Sequence, residues 1–366
     1  MTDIGIGVVG GGYMGKAHSV AFAAVASVFD TALRPKLVHI CASSDESAER
    51  YRQTYGFEKA TSDWRVMVAD PEVEAIVIAS PQATHHDIAL AAFAAGKPVL
   101  CEKPLGVSVA QSQSMVDAAE AAGVANMVGF NYVRTPATQY VRKLLDEGRI
   151  GKVTWFRGEM TEDFFADPDI GGWRGQGAAN GCMGDLAPHM INCARALMGP
   201  ITTLNAMVQT VHPTRAGEPV TNDDQAQMMC TFESGVQGHM FFSRVATGRK
   251  MGYAYEIHGT HGHIRFDQED QNALWLYTTE GPEAERGFRK ILTGPEHPDY
   301  LPFCQGPGHG TGYQDQIIIE AKDFLTAIAE KRPVWPTFRE GLEVNRIVAA
   351  TFASSAAGTW VNVADY

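Results

Sequence analysis

Two patterns of apolar residues follow one another along the chain. In the first 130 residues, short runs rich in Val and Ile alternate with Ala-rich stretches of helical length. The apolar runs are IGIGVVG, KLVHICA, AIVIAS, KPVLCE and VANMVGF. Strands that alternate with helices are typical of a parallel sheet with helices on both faces. We therefore predict a doubly wound α/β domain over residues 1–130.

From Lys152 onward, the chain consists mostly of strand-like runs joined by turns, with few helical stretches between them. This arrangement predicts a large, mainly antiparallel sheet. Helices are predicted over 185–197, 315–330 and 339–357. The Gly- and Pro-rich stretch 281–312 is predicted as a long loop, which in compact domains is usually functional or disordered. Residues 131–366 are thus predicted to form a second, α+β domain.

The composition excludes several classes of function. The chain has 30 Lys and Arg against 42 Asp and Glu, a net charge of −12, and no basic run. Nucleic acid is therefore not an expected partner, because its phosphates would be repelled. The most apolar stretch, IALAAFAAG, is shorter than the roughly 20 residues that span a bilayer, and the N-terminus lacks a basic region, so neither membrane insertion nor a signal peptide is expected. Six scattered cysteines without a C-x-x-C motif indicate free thiols and a cytoplasmic location.

The segment VVGGGYMGKAH carries glycines at positions that suit a dinucleotide. Gly10, Gly12 and Gly15 directly follow an apolar strand and open a helix. Such glycines permit a tight turn and let a pyrophosphate approach the backbone, while the helix N-terminus offers free N–H groups and a positive dipole end. In this context the motif predicts a dinucleotide site, with Tyr13 and Met14 also at the cofactor, rather than a glycine turn without a ligand.

The second predicted strand ends without the acidic residue that usually binds the adenosine ribose. Ala42, Ser43 and Ser44 occupy the expected place, and the first carboxylate is Asp45. A carboxylate would bind a 2′-hydroxyl and repel a 2′-phosphate, whereas small hydroxyl residues do neither strongly. The cofactor is therefore expected to be NAD or NADP, with Ser43 and Ser44 in contact with it. The alternative is that these serines only cap the following helix.

Two further motifs carry groups that can move a proton. LCEKPLG ends the fifth parallel strand, so Lys103 is expected at the carboxyl edge of the sheet, where ligands bind; elsewhere Glu-Lys-Pro is usually a surface turn. Asp185 and His189 are spaced i, i+4 on a predicted helix, with Asn192 continuing the same face. A histidine accepts a hydroxyl proton at neutral pH and a carboxylate can orient its ring. The alternative is a helix cap at Asp185 beside a structural histidine.

Together these motifs resemble the glucose–fructose oxidoreductase / inositol dehydrogenase (Gfo/Idh/MocA) family over residues 4–360. The resemblance rests on the glycine motif, on EKP and on Gly181-x-x-x-Asp185-x-x-x-His189. It implies a Rossmann domain over 1–130 and a domain for substrate binding and oligomerisation over 131–366. It also implies a catalytic set in which His189 is the base, Asp185 its partner and Lys103 the residue that polarises the reacting oxygen.

The resemblance extends to binding residues, since SPQATHHDIA is similar to the family's loop beside the nicotinamide. The implied cofactor contacts are Gly10, Gly12, Tyr13, Met14, Gly15, Ser43, Ser44, Pro81, Gln82, His85, Glu102 and Lys103. The implied substrate contacts are Lys103, Tyr132, Arg134, Asp163, Trp173, Arg174, Asp185 and His189. For the two aromatic residues the alternative is ordinary packing, and for the two arginines it is a structural salt bridge.

Several segments, among them FNYVRTPA, EDFFADP and GTGYQDQIIIEAKDFLTAI, resemble a branch of sugar dehydrogenases of the levoglucosan dehydrogenase type. The chain departs from this branch in two places. It lacks the acidic residue near Ala42, and it has Pro188 where the branch has a small residue, which we expect to change only the local helix geometry. The resemblance favours NAD slightly over NADP.

The expected function is the oxidation of a secondary ring hydroxyl of a cyclic sugar to a keto-sugar by an NAD(P)-dependent enzyme. The alternatives are an inositol dehydrogenase and a cofactor-retaining oxidoreductase that acts in glycoside cleavage. A dinucleotide sensor without activity is disfavoured because the catalytic set is present. The expected partners are a small cyclic polyol, whose flat face would suit aromatic residues such as Phe164 and Phe165, and further copies of the chain, in a dimer or tetramer formed through the C-terminal sheet.

We make predictions for four further histidines outside these motifs: a cluster of three, and His309 by itself. His258, His261 and His263 in EIHGTHGHIRF are predicted to lie in a hairpin with a glycine turn and not in a metal site, because no Cys or carboxylate completes one. No bound metal is expected. His309, in the Gly/Pro-rich loop, is expected near the substrate.

Overall fold

The computed structural model describes residues 2–366 and divides into two compact units. The first holds the residues up to Arg134 together with Gly312–Asn345, and the second holds Thr135–Thr311 together with Arg346–Tyr366. The predicted boundary at residue 130 lies close to the first division, but the segment from Gly312 belongs to the N-terminal unit and not to the second domain.

The chain up to Arg134 alternates between strand and helix, as predicted. In order, its elements are β1 (Thr2–Val9), α1 (Tyr13–Val28), β2 (Leu33–Cys41), α2 (Asp45–Tyr55), β3 (Lys59–Thr61), α3 (Trp64–Ala69), β4 (Ala75–Ile78), α4 (His85–Ala94), β5 (Val99–Glu102), α5 (Val109–Ala122) and β6 (Asn126–Gly129). Over the described residues the strands form one parallel sheet in the order β3-β2-β1-β4-β5-β6. Every residue of β4 and β5 is buried, because helices cover both faces of a parallel sheet.

The remaining chain is dominated by strands. Its elements are α6 (Pro136–Asp146), β7 (Val153–Thr161), α7 (Cys182–Asp185), α8 (Ala187–Met198), β8 (Ile201–Gln209), β9 (Thr214–Arg215), β10 (Glu218–Pro219), β11 (Gln225–Phe232), β12 (Gln237–Ser243), β13 (Ala254–Gly259), β14 (Gly262–Asp267), β15 (Ala273–Thr278), β16 (Arg289–Leu292), α9 (Tyr313–Glu330), α10 (Phe338–Ala357) and β17 (Val361–Asn362). Nine described strands form a sheet in the order β16-β15-β14-β13-β7-β12-β11-β8-β17. All neighbours are antiparallel except β7 and β12, which confirms the mainly antiparallel prediction.

Three local features differ from the predictions or refine them. Strand β16 lies inside the stretch predicted as a loop and pairs with β15. The helix predicted over 185–197 is two helices, α7 and α8, separated at Leu186. Pro188 explains this break, because it has no N–H to donate to the carbonyl of Gly184 and its ring disfavours a continuous helix. Helix α9 belongs to the N-terminal unit because it packs on α1, where Phe324 meets the edge of Phe22 at 6.4 Å between ring centroids.

All six cysteines are free thiols, in agreement with their scattered spacing. Within residues 2–366, no helix combines the length and the apolar character that crossing a bilayer requires.

The conformation of the loop between β1 and α1 shows why a glycine stands at each position of the motif. Gly10 has φ +101°, and a Cβ there would lie 2.4 Å from the carbonyl oxygen of Ala79. A Cβ on Gly15 would lie 1.8 Å from the carbonyl oxygen of Gly10, whereas a Cβ on Gly12 would have no atom within 4 Å. Gly12 is also the N-cap of α1. Gly10 and Gly15 therefore serve the turn itself, and Gly12 leaves space above the helix N-terminus.

A buried cluster of ionisable side chains, His18 of α1, Glu102 of β5 and Glu320 of α9, joins these three elements. The Nε2 atom of His18 lies 2.7 Å from Glu102 Oε1, and both side chains are buried. Burial disfavours the imidazolium, but the hydrogen bond and charge of Glu102, together with Glu320, raise the pKa of His18 overall. Burial raises the pKa of Glu320 to about 7, against the opposing charges of Arg134 and His18. The cluster therefore holds protons more tightly in the folded chain than in the unfolded one.

The glycine geometry predicts opposite behaviour for two variants. Gly12→Ala should keep a melting temperature close to that of the wild type but weaken NADH binding by on the order of tenfold or more, because the new methyl group occupies the space for a pyrophosphate. Gly15→Ala should lose about 1–3 kcal/mol of stability, because the methyl group collides with the backbone of Gly10. Thermal melts and NADH fluorescence titrations measure both effects. Normal NADH binding by Gly12→Ala would show that no pyrophosphate approaches this loop.

The buried cluster predicts a stability that falls as pH rises from about 5 to about 8. Unfolded Glu320 is ionised above about pH 5, whereas folded Glu320 keeps its proton until the pH reaches its pKa of about 7, so the folded state binds more protons over this interval and loses stability with rising pH. The raised pKa of His18 acts in the same direction. Glu320→Gln should therefore flatten the profile and raise the melting temperature relative to the wild type at pH 8.

The control is Glu330→Gln, which removes an exposed carboxylate from the end of the same helix. Melting curves of the three proteins between pH 5 and pH 8 make the comparison. Parallel profiles for wild type and Glu320→Gln would mean that Glu320 does not titrate in this range.

Candidate active site

Lys103 follows β5 directly and is half-buried at the carboxyl edge of the parallel sheet, as predicted. The residues on either side of it are held in place. Glu102 is bound by His18, and the carbonyl oxygen of Pro104 lies 3.0 Å from His85 Nδ1. The backbone on both sides of the lysine is thus fixed to elements that surround the glycine loop.

His85 connects the turns that follow β4 and β5. Its ring is 1% exposed, with Nε2 2.9 Å from the carbonyl oxygen of Ser80 and Nδ1 facing Pro104. Burial lowers the pKa of His85, so the neutral ring is favoured and donates from one nitrogen at a time. The adjacent Pro81 and Gln82 begin the short 3₁₀ turn at this edge. His85 therefore has the geometry of a residue that positions both turns.

The serines after β2 are exposed, and one of them has a local partner. The hydroxyl oxygen of Ser44 accepts a hydrogen bond from the backbone N–H of Ser47 at 3.2 Å and caps α2. This is the capping role that the sequence left open as an alternative. A contact of Ser43 or Ser44 with a cofactor ribose stays a prediction.

A row of tyrosines flanks the glycine loop, and its central member was missed by the sequence analysis. The ring of Tyr313 lies 5.9 Å from that of Tyr13 and 6.0 Å from that of Tyr132, and its hydroxyl is 3.4 Å from Met14 Sδ. Tyr13 is 71% exposed, whereas Tyr132 is 8% exposed. Burial raises the pKa of the Tyr313 phenol, which stays protonated. The GTGYQDQ segment contained this residue, but only the return of α9 brings it here.

Arg134 is engaged within the N-terminal unit. Its guanidinium forms an ion pair with Asp323 and donates to the carbonyl oxygen of Trp335 at 3.2 Å. The side chain is 6% exposed. These contacts favour the structural salt bridge over a substrate contact.

In the second unit, Asp185 is the last residue of α7 and His189 lies in the first turn of α8. Asp185 is half-buried, His189 is 8% exposed and Asn192 is fully buried. Because Leu186 separates the two helices, the pair does not share one continuous helix face as the i, i+4 spacing predicted.

A buried ionic network, which no motif in the sequence indicated, holds the loop before α7. The carboxylate of Asp224 accepts from Arg215 Nη2 at 3.0 Å and from Arg244 Nε at 2.9 Å. Arg244 Nη1 also donates to the carbonyl oxygens of Arg174 and Asn180. The arginines therefore tie the backbone of the loop to the sheet.

The neighbouring carboxylate anchors the helix itself. Asp223 Oδ2 accepts a hydrogen bond from the backbone N–H of Met183 at 2.7 Å. The backbone carbonyl oxygen of Asp223 accepts a second one from the backbone N–H of Cys182. A Cβ on Gly181 would lie 2.1 Å from Asp223 Oδ1. The start of α7, and with it Asp185, is thus set by contact with the end of the sheet.

The aromatic residues of the same loop have different surroundings. Phe165 is 1% exposed, with the guanidinium groups of Arg215 and Arg244 at 3.8 and 4.5 Å from its ring centroid. It is therefore a packing residue and not a sugar-facing one. Trp173 is 61% exposed, and the guanidinium of Arg174 stacks on it at 4.5 Å.

Two predicted polar residues also have local partners. Asp163 accepts from Lys250 Nζ at 2.7 Å and from the N–H of Gly248, and the Lys250 hydrogen bond lowers the pKa of Asp163. His309 Nδ1 lies 3.0 Å from Cys304 Sγ in the loop before α9. Both side chains are thus engaged in contacts within the second unit.

Comparison with known proteins gives these arrangements a context. Residues 4–130 match the oxidoreductase family with an NAD-binding Rossmann fold, and residues 138–265 match the GFO/IDH/MocA C-terminal domain. The chain is 39% identical to levoglucosan dehydrogenase from Pseudarthrobacter phenanthrenivorans, with 99% of each chain covered. It is 25% identical to inositol 2-dehydrogenase from Rhizobium meliloti, with 98% of each covered.

A solved structure supports the same relationship. The structure of levoglucosan dehydrogenase in complex with NADH and levoglucosan has a TM-score of 0.96 to this chain at 39% identity, covering 99% of this chain and all of that one. The full-length similarity, the parallel sheet with its glycine loop and the mainly antiparallel second sheet lead to one conclusion: the chain belongs to the Gfo/Idh/MocA family of NAD-binding oxidoreductases.

Proposed function

We propose that this protein is an NAD-dependent dehydrogenase that oxidises a secondary ring hydroxyl of a cyclic sugar to a ketone. The observation that carries the proposal is the similarity, over the full length of both chains, to an enzyme solved with NADH and levoglucosan. Lys103, Asp185 and His189 stand at the positions of the catalytic set that the resemblance implied.

The residues of the glycine loop fit a dinucleotide. The free space at Gly12 and the N-terminus of α1 suit a pyrophosphate. The exposed serines after β2 neither repel a 2′-phosphate nor replace a carboxylate on a 2′-hydroxyl, so the preference for NAD over NADP is modest. When bound, the nicotinamide supplies the acceptor for the hydride.

The roles of the catalytic residues follow from their chemistry. His189 accepts the hydroxyl proton as the C–H hydrogen leaves with its electron pair, so the alcohol carbon is oxidised and the reaction releases one proton. Asp185 stabilises the imidazolium that forms. Lys103 donates a hydrogen bond to the reacting oxygen and stabilises its negative charge in the transition state.

A neutral substrate agrees best with the local charges. Arg134 is occupied by Asp323, which removes one of the two arginines that could have received an acidic sugar. The exposed ring of Trp173, with Arg174 stacked on it, offers a flat face of the kind that packs on a pyranose. The second candidate substrate is an inositol, favoured by the similarity to inositol 2-dehydrogenase, because it presents the same ring of secondary hydroxyls.

A substrate panel tests the proposed reaction. Monosaccharides, anhydrosugars, glycosides and inositols are incubated with NAD and NADP, reduced cofactor is followed by absorbance, and the product of the best substrate is identified by NMR. We expect a pyranose or anhydropyranose that yields a ring ketone. A lactone, or activity only on acyclic or phosphorylated sugars, would contradict the proposal. Glycoside cleavage without release of NADH would instead support the cofactor-retaining alternative.

Lys103→Ala should lower kcat by about a hundredfold or more, equivalent to about 3 kcal/mol of barrier, because the reacting oxygen loses its hydrogen-bond donor. NADH affinity should change little, since the pyrophosphate is held by the backbone. Steady-state kinetics and NADH titration measure the two effects. Lys36→Ala, which removes an exposed lysine paired with Asp3, is the control. A variant with near-normal kcat would remove Lys103 from the mechanism.

A further inference from the structure

The hairpin of β13 and β14 brings together three side chains that the sequence analysis did not combine. His258 and His263 are direct partners across the hairpin, and Glu256, two residues before His258, lies on the same face. One ligand atom from each of the three lies within 4.8 Å of the others. The prediction that no carboxylate completes this histidine cluster is therefore wrong, because strand alternation supplies Glu256. His261, the third histidine of the motif, is exposed at the turn, with Nδ1 3.1 Å from Thr260 Oγ1.

The facing atoms of the three side chains lie beyond ordinary hydrogen-bonding distance. Glu256 Oε2 lies 3.7 Å from His258 Nε2 and 3.5 Å from His263 Nε2, longer than the roughly 2.7–3.2 Å of ordinary N–H···O bonds. Both Nε2 atoms are inaccessible to water and lack a hydrogen bond of ordinary length among the described residues. Buried nitrogens without such partners are costly, and a cation between them would satisfy all three groups.

The surroundings hold the three groups in orientation. The imidazole centroids are 3.8 Å apart, Trp155 packs edge-on against His258 at 5.0 Å, and Phe288 does so against His263 at 5.0 Å. The other oxygen of Glu256, Oε1, lies 3.6 Å from Arg157 and 3.7 Å from Arg265. Oε2 is thus left facing the histidines.

The charges around Glu256 set the affinity of the site for a cation. The two arginines lie close to the carboxylate, and their positive charge reduces the affinity for a cation. The site should therefore bind more weakly than a closed structural zinc site.

We propose that Glu256, His258 and His263 form a Zn²⁺ site on the C-terminal sheet. Tetrahedral Zn²⁺ with bonds of about 2.0–2.2 Å separates its ligand atoms by about 3.4 Å. The two distances from Glu256 Oε2 to the histidine nitrogens, 3.5 and 3.7 Å, are within a few tenths of an ångström of that value, and all three ligand atoms lie within 4.8 Å of one another. Water fills the fourth position. The ion links the two strands of the hairpin and takes no part in hydride transfer.

Metal binding to protein without a polyhistidine tag tests the site. After chelator treatment and dialysis, Zn²⁺ titration followed by calorimetry and elemental analysis should give one ion per chain, with a Kd on the order of micromolar. His263→Ala and Glu256→Gln should each weaken binding by about tenfold or more. His261→Ala, from the same hairpin, is the matched control and should bind as the wild type does. Co²⁺ should give the visible absorption bands of four-coordinate cobalt in wild type and His261→Ala only.

Glu256→Gln keeps the size and shape of the side chain, so it tests the site even where His263→Ala disturbs the hairpin. At the same Zn²⁺ concentration, the rise in melting temperature should be clearly smaller for Glu256→Gln than for the wild type and His261→Ala. Circular dichroism and NADH titration establish that the variants are folded. Zn²⁺ affinity that is unchanged in Glu256→Gln, or no stoichiometric binding at about 0.1 mM Zn²⁺, would overturn the proposal.

Discussion

The candidate catalytic region of the second unit depends on one buried carboxylate. Asp224 accepts hydrogen bonds from two arginines and from the backbone N–H groups of Val211 and His212. Burial opposes its ionisation, but these donors lower the pKa of Asp224, so it stays charged. Because each partner would be a buried, unpaired charge without the others, the three ions stabilise one another strongly.

The network extends from the sheet to the loop that carries the exposed aromatic residues. Arg244 binds the carbonyls of Arg174 and Asn180, and Arg215 binds that of Asp167. Phe165 fills the space beside both guanidinium groups. The loop between β7 and α7 has little regular structure of its own, so these side-chain contacts to its backbone replace the hydrogen bonds of a helix or sheet.

In the N-terminal unit, the candidate site depends on glycines and buried side chains and not on an ionic network of this kind. There the backbone glycines create the space for a cofactor, and the buried side chains fix the turn that presents Lys103. His18 holds Glu102, and His85 lies between the carbonyls of Ser80 and Pro104, one of which accepts its single N–H. These buried ionisable groups hold the turn in place but make the stability of the unit sensitive to pH, because Glu320 is buried beside His18 and Glu102.

The sequence by itself determined the features that follow from local pattern. Alternation of apolar runs predicted both sheets, the glycine spacing predicted the β1–α1 loop, and the motifs around Lys103, Asp185 and His189 indicated the family. Pro188 was visible too, and the change in local helix geometry expected there is the break between α7 and α8.

Tertiary structure alone decided what depends on residues far apart in the chain. The return of α9 to α1 brought Tyr313 between Tyr13 and Tyr132, because an amphipathic helix packs on whichever face is left apolar. It also paired Arg134 with Asp323. From the sequence, a salt bridge and a substrate contact were equally good predictions for this arginine. Local periodicity assigns a side chain to a face of its own strand or helix. Its partner is chosen by the register between strands and the packing between elements, and these arise only when the whole chain has folded.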